Sequence, residues 1–215
     1  MDGRRFLVAG IGVGFGVVAG SLVATATSIA QAPFNPRKEQ TSAPAHHSAK
    51  RRSRLCGVVA VSAPAGGLSQ VVIRPAEPED LPVLGRLGAL LVQLHHEFDP
   101  ARFVAAPPRT EHLYAAFLAD QLGKPNGVVL VAEMGGEVLG YTYASVEDSD
   151  YMALRGPAGL FHDLVVDPAH RGNGIGQVLL DATLAALKAR GAPRVVLSTA
   201  DRNAGAQRLF ARAGF

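Results

Sequence analysis

Residues 164–176 constrain the fold of this chain more than any other stretch, because a β-branched run, a glycine-rich turn and a helical pattern follow one another there. The apolar run ends at Asp167-Pro168, since proline cannot continue a strand ladder. Three glycines at alternate positions then lead into an apolar-periodic segment over residues 175–190. The pattern predicts a strand, a tight turn and a helix, with backbone N–H groups meeting beside Arg171. Such a turn is suited to a phosphate or pyrophosphate group.

The spacing of these glycines excludes two familiar nucleotide motifs. It reads G-x-G-x-G, which differs from the dinucleotide pattern G-x-G-x-x-G, and no Gly-Lys-Ser/Thr follows as in a P-loop. The run Arg171-Gly172-Asn173-Gly174-Ile175-Gly176 is instead similar to the acetyl-CoA signature R/Q-x-x-G-x-G/A of the GNAT superfamily of N-acetyltransferases. A strand pattern at 194–198 and a helical segment that begins near Asn203 resemble the second half of the family pattern. The resemblance covers about residues 71–215.

The order of predicted elements from residue 71 onward defines the fold class. A first strand lies over residues 71–74, and leucines at helical spacing after Pro78 predict a first helix. Thr110 is a plausible N-cap for a second helix, which would have Leu113, Phe117 and Leu122 facing inward. Two further strands are joined by a hairpin at Gly135-Gly136, and another strand lies over residues 159–166. Together with the helix after the glycine turn, the strand pattern at 194–198 and the last helix, they predict a mixed α/β sheet with helices on both faces. The resemblance implies that the sheet is mostly antiparallel, with one splayed parallel strand pair.

The end of the sequence departs from the family pattern. The sequence stops at Gly214-Phe215, where the family continues into one or two further strands. We therefore expect C-terminal strands to be missing and the sheet edge beside the last parallel strand to be exposed and prone to association.

Three regions divide the chain: a hydrophobic segment at 1–30, a basic linker at 31–70 that we expect to be disordered, and the GNAT-like domain at 71–215. Residues 1–70 contain eight Lys and Arg against two acidic residues, whereas 71–215 contain 13 basic and 16 acidic residues. The basic character of the chain thus belongs to the N-terminal region, and no nucleic-acid partner is expected for the domain. The single cysteine, Cys56, allows no intrachain disulfide.

The hydrophobic segment has three interpretations. Residues 6–30 carry no charged side chain and are long enough to span a bilayer. They are typical of a membrane anchor, of a cleaved signal peptide, or of upstream sequence included through a misassigned start. Export is the weakest interpretation, because acetyl-CoA is a cytosolic metabolite. We expect a cytoplasmic domain, held at the inner face of the membrane if residues 6–30 are an anchor.

The resemblance implies acetyl-CoA as cosubstrate and assigns residues to it. The backbone of Leu164, Val165 and Val166 would hold the pantetheine arm as an added strand, and the N–H near Val166 would polarise the thioester carbonyl. The pyrophosphate would lie on the turn formed by Arg171, Gly172, Asn173, Gly174, Ile175 and Gly176. Asn203 matches a family asparagine, and it is equally suited to capping the last helix. No metal is expected.

Catalysis requires a base that takes a proton from the acceptor ammonium. His162 falls where some family members carry a histidine or a glutamate, and an imidazole titrates in the useful range. By strand alternation its side chain should share a face with residues 160 and 164, with Asp163 on the other face as second candidate. Many members also have a tyrosine that protonates the leaving thiolate; here that position is Phe210, which has no hydroxyl.

The sequence therefore predicts an acetyl-CoA-dependent N-acetyltransferase that acts by direct transfer on a primary amine, either a small molecule or a peptide amino group. The alternative is a non-catalytic acyl-CoA-binding module or an inactive fragment, which Phe210 and the sequence end favour. The acceptor is not identified by the sequence, and a homodimer is left open.

Overall fold

The computed structural model describes residues 27–33 and 70–215, which form one six-stranded sheet and four α-helices. The strands are β1 (Thr27–Pro33), β2 (Val72–Pro75), β3 (Gly127–Met134), β4 (Glu137–Glu147), β5 (Ala158–Val166) and β6 (Arg194–Ala200). The helices are α1 (Leu81–Phe98), α2 (Thr110–Leu122), α3 (Ile175–Ala189) and α4 (Ala204–Arg212).

The sheet order is β1-β6-β5-β4-β3-β2, and all neighbours are antiparallel except β5 and β6. Gly135 and Gly136, both at positive φ, form the predicted tight turn between β3 and β4. The mixed, mostly antiparallel sheet with one parallel pair confirms the predicted fold class.

Helices cover both faces of the sheet. Leu84 and Leu87 of α1 and Leu118 of α2 are fully buried against one face. Leu179, Leu180 and Leu187 of α3 are fully buried against the other face, and Phe210 of α4 joins the same core. The leucine stripe predicted for the first helix thus forms the core contact, while residues 78–80 before it form a 3₁₀ turn.

The prediction for α2 was wrong in two respects. Thr110 is the first residue of the helix rather than its cap, and its hydroxyl donates to the carbonyl of Pro107. Leu113 and Phe117, expected to face inward, are 53% and 42% exposed, because Leu118 and Gln121 take the buried positions. The helix therefore lies rotated from its predicted orientation about its own axis.

The edge beside β6 is not open, contrary to the expectation from the sequence. β1 pairs antiparallel with the whole of β6, from Thr27 opposite Ala200 to Pro33 opposite Arg194. This strand runs across the predicted boundary between residues 30 and 31, and residues 27–30 pair with β6 in the sheet. The uncharged stretch 6–26 and the linker region 34–69 lie outside the described residues. Among the helices of the described ranges, none combines the length and the apolar character that a bilayer span requires.

Candidate active site

The turn after β5 presents a row of free backbone donors. Gly172 and Gly174 adopt left-handed φ values of +83° and +81°, which a residue with a side chain rarely adopts. In the part of the chain that the structure describes, the N–H groups of residues 172–176 meet no hydrogen-bond acceptor. A Cβ placed on Gly172 would meet no atom within 4 Å, so the space above the turn is open. A row of amide donors at the start of a 15-residue helix is suited to an anion.

The remaining residues of the turn hold its shape. Arg171 donates from Nε to the carbonyl oxygen of Val166 over 3.0 Å, and Asn173 donates to that of His170. Ile175, the first residue of α3, has its side chain buried in the core, so only its N–H is available to the row of donors. A Cβ on Gly176 would make only ordinary contacts, the shortest 3.6 Å to Leu209. The packing of this chain therefore does not itself require glycine at position 176.

The parallel strands β5 and β6 separate just before this turn. They pair only from Gly159 opposite Val195 to Phe161 opposite Leu197, although β5 continues to Val166. The N–H of Asp167 donates to the carbonyl oxygen of Leu139 in β4. Because the peptide groups of a strand point alternately to its two neighbours, those of Val165 face β4, whereas those of Leu164 and Val166 face the gap. The gap is the splayed pair that the sequence predicted. Of the three predicted backbone contacts, Val165 is the one whose peptide faces away.

A β-bulge lies where the strands begin to separate. Tyr143 pairs with Asp163 and Ala144 pairs with Phe161, which leaves His162 as an extra residue in β5. A bulge shifts the side-chain alternation by one position. The prediction that His162 and Asp163 lie on opposite faces was therefore wrong: both lie on the α1–α2 side of the sheet, whereas Leu164 packs on the α3 side.

His162 is held by three neighbours on β4. Its ring stacks on that of Tyr143 with centroids 4.6 Å apart and planes 19° apart. Nε2 lies 2.8 Å from the Ser145 hydroxyl and 3.7 Å from Oε1 of Glu147. Burial lowers the pKa of His162, and the negative charges of Asp163 and Glu147 oppose that effect. With 29% of its side chain exposed, the imidazole is both positioned and reachable.

Asp163 is buried with two phenol donors. The hydroxyl groups of Tyr114 and Tyr141 donate to Oδ2 over 2.6 and 3.1 Å. Burial raises the pKa of Asp163 in spite of these hydrogen bonds. Burial and the neighbouring carboxyl also raise the pKa values of Tyr114 and Tyr141, which keeps both phenols protonated as donors. Asp163 therefore joins α2 to the bulge.

Two residues near the C-terminal end of the sequence have structural roles in the fold. The Asn203 side chain accepts from the N–H of Ala206 over 3.1 Å, so it caps α4. Phe210 is 8% exposed and packs edge-to-face on Phe161 and Phe215. The aromatic ring at position 210 is thus part of the core.

Several residues of the site were missed or undervalued by the sequence analysis. Glu147 is one of them: it ends β4 and forms a 3.0 Å ion pair with Arg155. A signal was present in the sequence, because polar side chains alternate along β4 at positions 141, 143, 145 and 147 and so share one face. Tyr114 gave no such signal, since only the packing of α2 brings it to Asp163.

The chain belongs to the acetyltransferase (GNAT) family, whose model matches residues 91–215. That range contains the glycine turn, the separating strands and the bulge. Among the residues that the structure describes, no group of three or more potential ligands could hold a metal ion.

Comparisons with individual proteins agree with the family. The chain is 33% identical over 119 residues to a mycothiol acetyltransferase of Nocardioides sp., a match that covers 50% of this chain and 40% of that protein. A GCN5-related N-acetyltransferase from Ralstonia eutropha superposes with a TM-score of 0.52 at 26% identity, over 67% of this chain and 92% of that one. A predicted acetyltransferase with acetyl-CoA from Clostridium acetobutylicum gives the same TM-score at 18% identity, over 67% and 89%. The chain thus spans less than half of the length of the Nocardioides relative.

Proposed function

We propose that this protein transfers an acetyl group from acetyl-CoA directly to a primary amine, which is a small molecule or a peptide amino group. The observation that carries the proposal is the gap between β5 and β6, with the peptide groups of Leu164 and the N–H of Val166 directed into it from β5 and a row of free amide donors at its end. The presence of acetyl-CoA in the Clostridium neighbour, and the names of the relatives, support the same donor.

In this proposal acetyl-CoA lies in the gap. The pantetheine arm would add to β5 as an extended strand, with hydrogen bonds to the peptide groups of Leu164 and Val166. The pyrophosphate would lie on the N–H groups of residues 172–176, with the guanidinium of Arg171 beside it. The N–H of Val166 would then donate to the thioester oxygen as negative charge develops on it.

His162 acts as the general base in this proposal. The imidazole accepts a proton from the acceptor ammonium, and the free amine attacks the thioester carbon. A C–N bond forms and the C–S bond breaks, the nitrogen of the intermediate gives its second proton to solvent, and the coenzyme leaves as thiolate. The thiolate is protonated by solvent, because Phe210 has no hydroxyl to donate and its ring is buried in the core.

The alternative function is acyl-CoA binding without turnover. It is favoured by the absence of a hydroxyl at position 210, since Phe210 lies where many GNAT members have a tyrosine that protonates the thiolate. The two functions share the donor site and differ in whether an amine is acetylated.

The experiment that tests the proposal has two stages on the full chain. Calorimetric titration should show acetyl-CoA binding with roughly micromolar Kd, about −8 kcal/mol. A thiol-release assay with small primary amines and with peptides follows, using His162→Ala as test variant and His112→Ala, an exposed histidine on α2, as matched control.

We expect amine-dependent thiol release by the wild type and the control, and loss of turnover with retained acetyl-CoA binding in His162→Ala. Binding without release for every amine would favour the alternative. Absence of binding by the folded protein would contradict both.

A further inference from the structure

The hydrogen bonds around His162 determine which of its ring nitrogens carries the proton. The Ser145 hydroxyl donates to Oε1 of Glu147 over 2.9 Å. A hydroxyl has only one hydrogen to donate, so Ser145 can only accept from the histidine. Nε2 of His162, 2.8 Å from that same hydroxyl, must therefore be the donor.

The direction of these hydrogen bonds, from His162 to Ser145 to Glu147, depends on Glu147 being an acceptor. Nη2 of Arg155 lies 3.0 Å from Oε2 of Glu147, and the Arg155 side chain is only 10% exposed. Arg155 is itself fixed by its contacts with the carbonyl oxygens of Asp148 and Gly156. The guanidinium holds one carboxylate oxygen of Glu147 and leaves the other to accept from Ser145.

We propose that Glu147 and Ser145 are positioning residues that fix His162 in the tautomer with hydrogen on Nε2, so that Nδ1 is the nitrogen that takes the proton from the acceptor amine. Nδ1 has no hydrogen-bond partner within residues 27–33 and 70–215. The inference rests on the proposed function for the role of His162 as base, but the tautomer itself does not.

The same series of hydrogen bonds, through Ser145 to Glu147, stabilises the imidazolium once Nδ1 has accepted the proton. Nε2–H then donates to Ser145 with full positive charge on the ring, and the Glu147 carboxylate lies 3.7 Å away. The other groups around the ring are Tyr143 of β4, Asp163 of β5 with its partner Tyr114 of α2, and Arg155 from the loop between β4 and β5. Of the two carboxyl groups, Asp163 is occupied by two tyrosines, so Glu147 is the one joined to the imidazole by hydrogen bonds.

The tautomer can be measured without any activity. In ¹⁵N-labelled protein, the ¹⁵N shifts and two-bond couplings of a histidine distinguish Nε2–H from Nδ1–H, and His162→Gln identifies the resonance of residue 162. We expect Nε2–H in the wild type, a mixture or the Nδ1–H form in Ser145→Ala, and recovery of Nε2–H in Ser145→Thr, which keeps the hydroxyl.

The kinetic consequences separate the two positioning residues. Ser145→Ala should lose about 10- to 100-fold in kcat with little change in the KM for acetyl-CoA, and Ser145→Thr should recover most of it. Glu147→Gln removes the negative charge beside the imidazole, so the acid limb of the kcat/KM profile should move to lower pH by about half a unit to one unit. Asp148→Asn, an exposed carboxylate one residue away, is the matched control and should leave the profile in place.

The outcomes distinguish this inference from the proposed function. An Nδ1–H tautomer in the wild type, or an Nε2–H tautomer unchanged in Ser145→Ala, would overturn the inference whatever the activity. The expected tautomer together with unchanged kcat in Ser145→Ala would show that the hydrogen-bond chain exists but that His162 is not the base.

Discussion

Gly172 combines a left-handed backbone with an open space above it, and these two properties have separable consequences. Alanine there should lower the free energy of unfolding by roughly 1–2 kcal/mol, because L-residues disfavour this conformation. It should also place a methyl group over the row of N–H donors and weaken acetyl-CoA binding by about tenfold or more, or about 1.4 kcal/mol.

Gly191 provides a matched control for this substitution. It has φ +82°, a Cβ added to it would also meet no atom within 4 Å, and it lies at the opposite end of α3, about 22 Å away. Gly191→Ala should lose the same stability in chemical unfolding and none of the affinity in calorimetry. Equal loss of affinity in both variants would show that the effect is not local to the turn.

Strand β1 is the element whose role differs most from its prediction, because it closes the β6 edge. β6 pairs with β5 over only three residues, whereas it pairs with β1 over its whole length. The backbone protection of β6 should therefore depend on β1.

We predict that deletion of residues 1–33 accelerates amide hydrogen exchange in the peptide covering residues 194–200 and increases concentration-dependent association, since an open strand edge pairs with other chains. Deletion of residues 1–26, which keeps β1, is the control and should leave exchange unchanged. Mass spectrometry of exchanged peptides and light scattering measure the two effects. Equal exchange in both deletions would contradict the strand pairing.

The pH dependence of global stability should carry a signature of Asp163. Because burial raises its folded-state pKa above the ordinary value of about 3.9, its contribution to stability is fully present below that value and is lost as pH rises through the folded-state pKa. Relative to Asp163→Asn, the wild type should thus lose up to about 1.4 kcal/mol per pH unit across that window.

Urea unfolding of both proteins over a pH series measures this difference, with Asp201→Asn at an exposed position as control. If the free energy of unfolding of the wild type, relative to that of Asp163→Asn, instead increases as pH rises through this window, the expectation is contradicted. The two tyrosine hydrogen bonds would then outweigh burial, and the Asp163 carboxyl would be ionised in the folded state.

Much of the architecture follows from local sequence patterns. The run before Asp167-Pro168, the alternate glycines and the leucine stripe of α1 each have a period or a turn residue that specifies its element, because backbone sterics and burial act over a few residues. The glycine turn and its free donors are such a local property. The family resemblance rested on the same residues, and the family model that matches 91–215 includes them.

The tertiary structure alone decided the geometry around His162 and Asp163. A single extra residue in β5 relative to β4 reverses the alternation at His162 and Asp163, and register between strands is set by pairing across the sheet rather than by either strand's own sequence. The hydrogen-bond chain from His162 to Glu147, the burial of Asp163 under α2 and the placement of β1 beside β6 all depend on contacts between residues distant in the chain. Local patterns thus determined the glycine turn and its donors, and long-range packing determined which side chains surround His162.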